Sequence, residues 1–142
     1  MSIYEKDFYG WTKEQATLLR THDFAQLDLD NLIEEIESMG RSERRQLVSR
    51  LEVLLMHLLK WQYQPDLQGH SWHATIAEQR RRIHRLLRDN PSLQPEVINC
   101  LTDAYEDARY AAADETGLPL VTFPEQCPYA LDQVLGQTWL PA

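Results

Sequence analysis

Between Ser42 and Tyr63 the chain places Leu47, Leu51, Leu54, Leu58 and Trp61 on a seven-residue alternation of four and three. That period is one face of an α-helix. Val53, Leu55, Met56 and Leu59 fill the other sides of its second half, so the helix is apolar almost all round. Such a helix belongs at the centre of a domain, covered by other elements. Those elements are expected to be helices, because no segment shows the sustained period-two alternation of a half-buried strand. The expected fold is all-α: a single domain over residues 1–142, built as a bundle of about five helices with an irregular, proline-containing C-terminal tail.

Punctuation along the chain sets the other boundaries. Tyr4, Phe8, Tyr9 and Trp11 crowd the N-terminus and are expected to pack back on the core. Thr12 and Gln15 have capping-box spacing, predicting a short helix through about Arg20. Asp28 or Asp30 caps a second short helix ending near Gly40, with Leu29, Leu32, Ile33, Ile36 and Met39 as its stripe. Ser42 then opens the long helix, which stops before Pro65. Ser71 caps the next, carrying Trp72, Ile76, Ile83, Leu86 and Leu87 and stopping before Pro91. Pro95 stands near the first turn of the last long helix, whose stripe is Val97, Ile98, Leu101, Ala104, Tyr105, Ala108, Ala111 and Ala112. Gly117 ends it. One or two helical turns are expected between Tyr129 and Leu135 in the tail.

The 142 residues are 43% hydrophobic and 25% charged, which excludes disordered, collagen-like and low-complexity classes. The run from Val53 to Leu59 is broken by His57 and falls far short of the roughly 20 apolar residues a bilayer span needs. The N-terminus has no basic segment leading into an apolar one, so export is not expected. Cys100 and Cys127 form no CxxC pair and suit a reducing cytoplasm.

Charge is segregated. Residues 1–40 carry three basic and nine acidic groups, residues 41–95 ten and five, and residues 96–142 only Arg109 against eight acids. Eleven of the fourteen cations are arginine, which pairs in planar, bidentate fashion with carboxylates or phosphates. Arg81, Arg85 and Arg88 share one helical face. Asp103, Asp107 and Asp114 on the following helix have matching spacing, so internal pairing is expected if the two helices form a hairpin. No aromatic residue interleaves the arginines, which disfavours single-strand nucleic acid binding.

Catalytic signatures are absent: there is no HExxH, GxSxG, P-loop, GxGxxG or Glu-x-x-His pair. His70 and His73 have only a weak metal-ligand spacing, and no metal or other cofactor is expected. His57 lies on the most apolar helix, near Lys60 and Trp61. Glu35 and Glu37 lie on opposite margins of the Leu32/Ile36 stripe, where either could meet His57 or Lys60 in a seam between two helices. A carboxylate set against an imidazole serves acid–base chemistry, and equally serves to satisfy a buried histidine.

The chain resembles a bacterial family catalogued as domain of unknown function twenty-nine. The resemblance rests on YEKDFYGWT at 4–12, IEEIESMGRSER at 33–44, LLMHLLKWQYQP at 54–65, SW at 71–72, NPSL at 90–93 and FPEQCPY at 123–129. It implies an all-helical, intracellular protein and carries no activity, cofactor or catalytic residue. The residues that recur in it (Glu34, Glu35, Glu37, His57, Lys60, Trp61 and Trp72) mark where a site is first sought.

The reading favoured by these features is a small cytoplasmic interaction or regulatory module without catalytic activity. Arg81, Arg85, Arg88, Trp61 and Trp72 are its candidate binding residues, and another protein or a second copy is the expected partner, with no membrane. The alternative is an enzyme or metal protein using Glu35, Glu37, His57 and Lys60. A third reading, nucleic acid on the Arg80–Arg88 face, is disfavoured. The long apolar helix can be covered within a monomer or by a second subunit, and the sequence does not choose.

Overall fold

A computed structural model describes residues 2–142. Among them the helices are α1 (Ile3–Lys6), α2 (Phe8–Arg20), α3 (Leu29–Tyr63), α4 (His70–Asp89), α5 (Val97–Thr116) and α6 (Leu131–Leu135), joined by short 3-10 turns. No described residue is in a strand, as the lack of period-two patterning requires. The chain groups into two compact units, one ending at Ser42 and the other beginning at Glu43.

The largest departure from the sequence reading is α3. Two helices were expected, meeting at Gly40–Ser42; one unbroken helix of 35 residues is present. A single glycine inside a helix costs only about 1 kcal/mol relative to alanine, and no proline accompanies it. Continuous hydrogen bonding through the junction outweighs that cost. Elsewhere the helix starts are earlier than expected. Asp7 caps α2 by accepting the Gly10 N–H at 3.0 Å. Thr12 therefore lies inside the helix, and Gln15 is buried, accepting the Asp28 N–H at 2.8 Å. α4 begins at His70 after Gly69, so Ser71 falls within its first turn. Pro95 lies in the 3-10 turn that leads into α5.

In the first unit Trp11 is buried and donates its indole N–H to Asp28 at 2.9 Å. Tyr4 packs edge-on against Trp11, and Phe8 stacks on the same ring. The aromatic N-terminus thus packs in part only, since Tyr9 stays exposed.

In the second unit Leu47, Leu51, Leu54, Leu55, Leu58 and Leu59 of α3 are fully buried. Ile76 and Ile83 of α4, Val97, Ala104 and Ala108 of α5, and Phe123 and Val134 of the tail complete this core. Ile98, which the sequence pattern places on the α5 stripe, is half exposed because it falls one residue off the buried line. α5 ends at Gly117, whose φ of 73° is the left-handed C-cap that glycine adopts without strain.

Candidate functional site: an arginine groove on helix α4

α4 carries the run Gln79-Arg80-Arg81-Arg82 followed by Arg85 and Arg88. Its apolar side, through Ile76, Ile83 and Leu87, is buried and fixes how the helix lies. The flank beside it borders a groove of about 470 Å³, lined by Ala77, Arg80, Arg81, His84, Arg85, Arg88 and Gln137.

Arg80 and His84 form its fixed part. Arg80 is buried and donates from Nε to the Val134 carbonyl at 2.9 Å. Its Nη2 donates to the carbonyls of Gln133 at 3.1 Å and Trp139 at 2.7 Å. Burial lowers the guanidinium pKa, opposed by this set of carbonyl dipoles. His84 Nε2 donates to the Leu135 carbonyl at 2.8 Å. These bonds hold the tail along α4 and bring Gln137 to the groove wall. Neither role was expected from the sequence, where Arg80 reads as one more member of a solvated basic run. Its only sequence signal is a position one residue off the Arg81/Arg85/Arg88 line, toward the apolar side.

Arg81, Arg85 and Arg88 stand along the groove and are exposed. Among the described residues no carboxylate lies within 4 Å of Arg81 or Arg85, and Arg88 has only its neighbour Asp89, with Nε to Oδ1 at 3.8 Å. The expected pairing with Asp103, Asp107 and Asp114 does not form. The acids of α5 and the turn before it meet α3 instead: Arg44 reaches Glu96 and Asp103, each at 3.2 Å, and Lys60 reaches Glu115 at 2.8 Å.

The other candidates fall elsewhere. Glu35, Glu37 and His57 all belong to α3. The two helices expected to flank a seam are thus one helix, along which Glu37 precedes His57 by 20 residues. Glu35 instead accepts the hydroxyl of Tyr4, a bond that pushes the tyrosine pKa up to about 12. His57 is half-buried, with Nδ1 donating to the Val53 carbonyl one turn back at 2.8 Å. Desolvation lowers its pKa, and the nearby Lys60 adds to the shift. The half-buried Lys60 lies over the Trp72 ring at 4.7 Å, and the Trp61 ring is 6.2 Å from that of His73. Trp61 and Trp72 thus brace the turn between α3 and α4 and do not line the arginine groove.

Among the described residues no group of three or more His, Cys, Asp or Glu side chains is placed to hold a metal ion. No helix among them is long and apolar enough to cross a membrane. A second concavity of about 540 Å³ lies between α5 and the tail. Its chief polar groups hold the tail, Tyr105 donating to the Pro124 carbonyl at 2.6 Å and Arg109 to the carbonyls of Phe123 and Leu120. Of these two concavities, the α4 groove is the one lined by exposed cations, Arg81 and Arg85, that no described carboxylate approaches within 4 Å.

Comparisons with curated proteins and with solved structures find no match. A family model described as "Domain of unknown function DUF29" matches residues 3–140, nearly the whole chain. This all-helical protein belongs to the DUF29 family.

Proposed function

We propose that this protein is a binding module of the bacterial cytoplasm whose α4 groove takes an acidic segment of another protein. The observation that carries the reading is that no described carboxylate lies within 4 Å of Arg81 or Arg85 in a chain of net charge -8. Arg81 to Arg88 covers two helical turns, about 10 Å, a span that suits two or three carboxylates on an extended or helical peptide. Arginine is enriched at protein interfaces because its rigid fork binds carboxylates bidentately and its stem covers apolar surface. The groove floor is already ordered by Arg80 and His84, so binding does not have to organise it. A cytoplasmic setting accords with Cys100 and Cys127, both free thiols raised in pKa by burial. The absence of a Phe, Tyr or Trp ring from the groove lining and the negative net charge weigh against a nucleic acid ligand.

The test is binding of a fluorescent poly-glutamate peptide, with a single-stranded oligonucleotide as competitor and Arg81→Glu/Arg85→Glu as control. Salt-sensitive peptide binding that the double variant loses without unfolding is the expected result. Equal peptide binding by the variant, or a preference for the oligonucleotide, would refute the proposal. So would substrate turnover by the pure chain that His57→Ala abolishes with the fold intact.

A further inference from the structure

A third concavity, of about 370 Å³, lies between α3 and α4 within the second unit. Glu43, Gln46 and Arg50 line it from α3, and Arg82, Arg85 and Asp89 from α4. Arg50 donates to the Gln79 side chain at 3.3 Å, while Glu43 shares the concavity with Asp89, ten residues further along α4. The two helices therefore run antiparallel, and the concavity is polarised. Arg50 and Arg82 stand at one end and Glu43 and Asp89 at the other, seven residues or about 10 Å apart along each helix.

Pairs within the chain neutralise part of this charge. Arg82 meets Glu78 at 2.9 Å, and Arg88 reaches Asp89 at 3.8 Å. Among the described residues Glu43 has no cation within 4 Å, and Arg50 and Arg85 have no carboxylate. Arg85 lines the α4 groove as well, so the two concavities meet at this side chain. The row Arg81, Arg85, Asp89 winds about α4 by about 40° per step, and so leads from the groove flank to the α3 flank.

We propose, resting on the reading of the α4 groove as a site for an acidic segment, that this segment crosses α4 along that row and carries a basic residue beyond its acids. Arg81 and Arg85 take the acids, and Glu43 with Asp89 takes the base. Each step of the row is about 6 Å, which two residues of an extended chain span, and alternate residues of such a chain point the same way. The matching pattern is acid-x-acid-x-base. Asp89 is the last residue of α4, so the negative end of the helix dipole also favours a cation there. Glu43 is then the specificity-determining residue. A segment of acids alone sets a carboxylate against Glu43 and Asp89, and that like-charge contact rejects it in favour of the mixed pattern.

Fluorescence anisotropy of the full chain with end-capped peptides tests it. The probes are Glu-Ser-Glu-Ser-Lys, the same sequence reversed, the all-acid Glu-Ser-Glu-Ser-Glu, and Glu-Lys-Glu-Ser-Ser, which has the composition of the first in another order. One direction of the first pattern is expected to bind about tenfold more tightly than the all-acid peptide and the reordered one. Glu43→Gln, a change at an exposed side chain, should abolish that preference without weakening the all-acid peptide and without loss of helical content. If no peptide binds, the acidic-segment reading fails and this proposal with it. If the all-acid peptide binds as well as both directions of the mixed one, the groove reading stands and this proposal alone is overturned. A preference shared by the reordered peptide, or one that survives Glu43→Gln, also overturns it.

Discussion

Arg80 donates a hydrogen bond to the main-chain carbonyl of Trp139 at 2.7 Å, across 59 residues of sequence. With the bonds to Gln133 and Val134, one buried guanidinium satisfies three carbonyls of the tail. Removing it leaves those acceptors unpaired. Arg80→Met should destabilise the protein by about 3 kcal/mol in urea unfolding and speed proteolysis within residues 130–142. Arg80→Lys should recover only part of this, because one ammonium cannot reproduce the planar fork.

His57 gives the protein a pH signature. Its folded pKa lies below the ordinary histidine value, chiefly through desolvation, so the unfolded chain binds the proton more readily. Stability should therefore be undiminished above the unfolded value and fall as pH drops below it, until the folded pKa is passed. Urea midpoints between neutral and mildly acidic pH check this, and His57→Gln should flatten the slope in that window. A His57 ring resonance titrating at or above the unfolded value would contradict the sign.

Gly117 holds φ at 73° with open space where a Cβ would go. A substitution there is opposed by backbone strain and by no clash. Gly117→Ala should lower stability by roughly 1 kcal/mol and Gly117→Asn by less, as measured by thermal unfolding.

Asp28 titrates below its usual value, held there first by the Asn31 side-chain hydrogen bond and then by the Trp11 indole. Trp11→Phe keeps a large aromatic ring and removes the indole donor. The Asp28 carboxyl, followed by NMR, should then titrate closer to an ordinary aspartate, and the share of stability that this bond links to its ionisation at neutral pH should shrink.

The parts of the fold legible in the sequence are those written as periodic burial. Leu47, Leu51, Leu54 and Leu58 mark a central helix because leucines kept from water must recur with the helical turn. Gly117 was legible because only a left-handed cap favours glycine there. Gly40 misled because glycine marks a helix end only when the backbone leaves the helix, and residue type alone does not fix φ. The arginine face was legible as a face, but spacing does not say toward which helix it turns. Asp103 and Glu96 could have faced α4; in the structure they meet Arg44. The tail clamp left almost no trace, since its acceptors are main-chain carbonyls that every residue possesses.

That clamp also ties the electrostatics of the groove to the order of the tail. While the tail is docked, the Arg80 guanidinium is occupied by carbonyl dipoles, and the positive field along α4 comes chiefly from Arg81, Arg85 and Arg88. Detachment would bare a fourth guanidinium and remove Gln137 from the wall. Any ligand whose affinity differs between those two arrangements shifts the tail's equilibrium by the factor of that difference, and tail opening changes its affinity by the same factor. Protection of the backbone amides near residues 133–139 from hydrogen exchange thus becomes a readout of occupancy in a groove most of whose residues lie some 50 positions earlier in the chain.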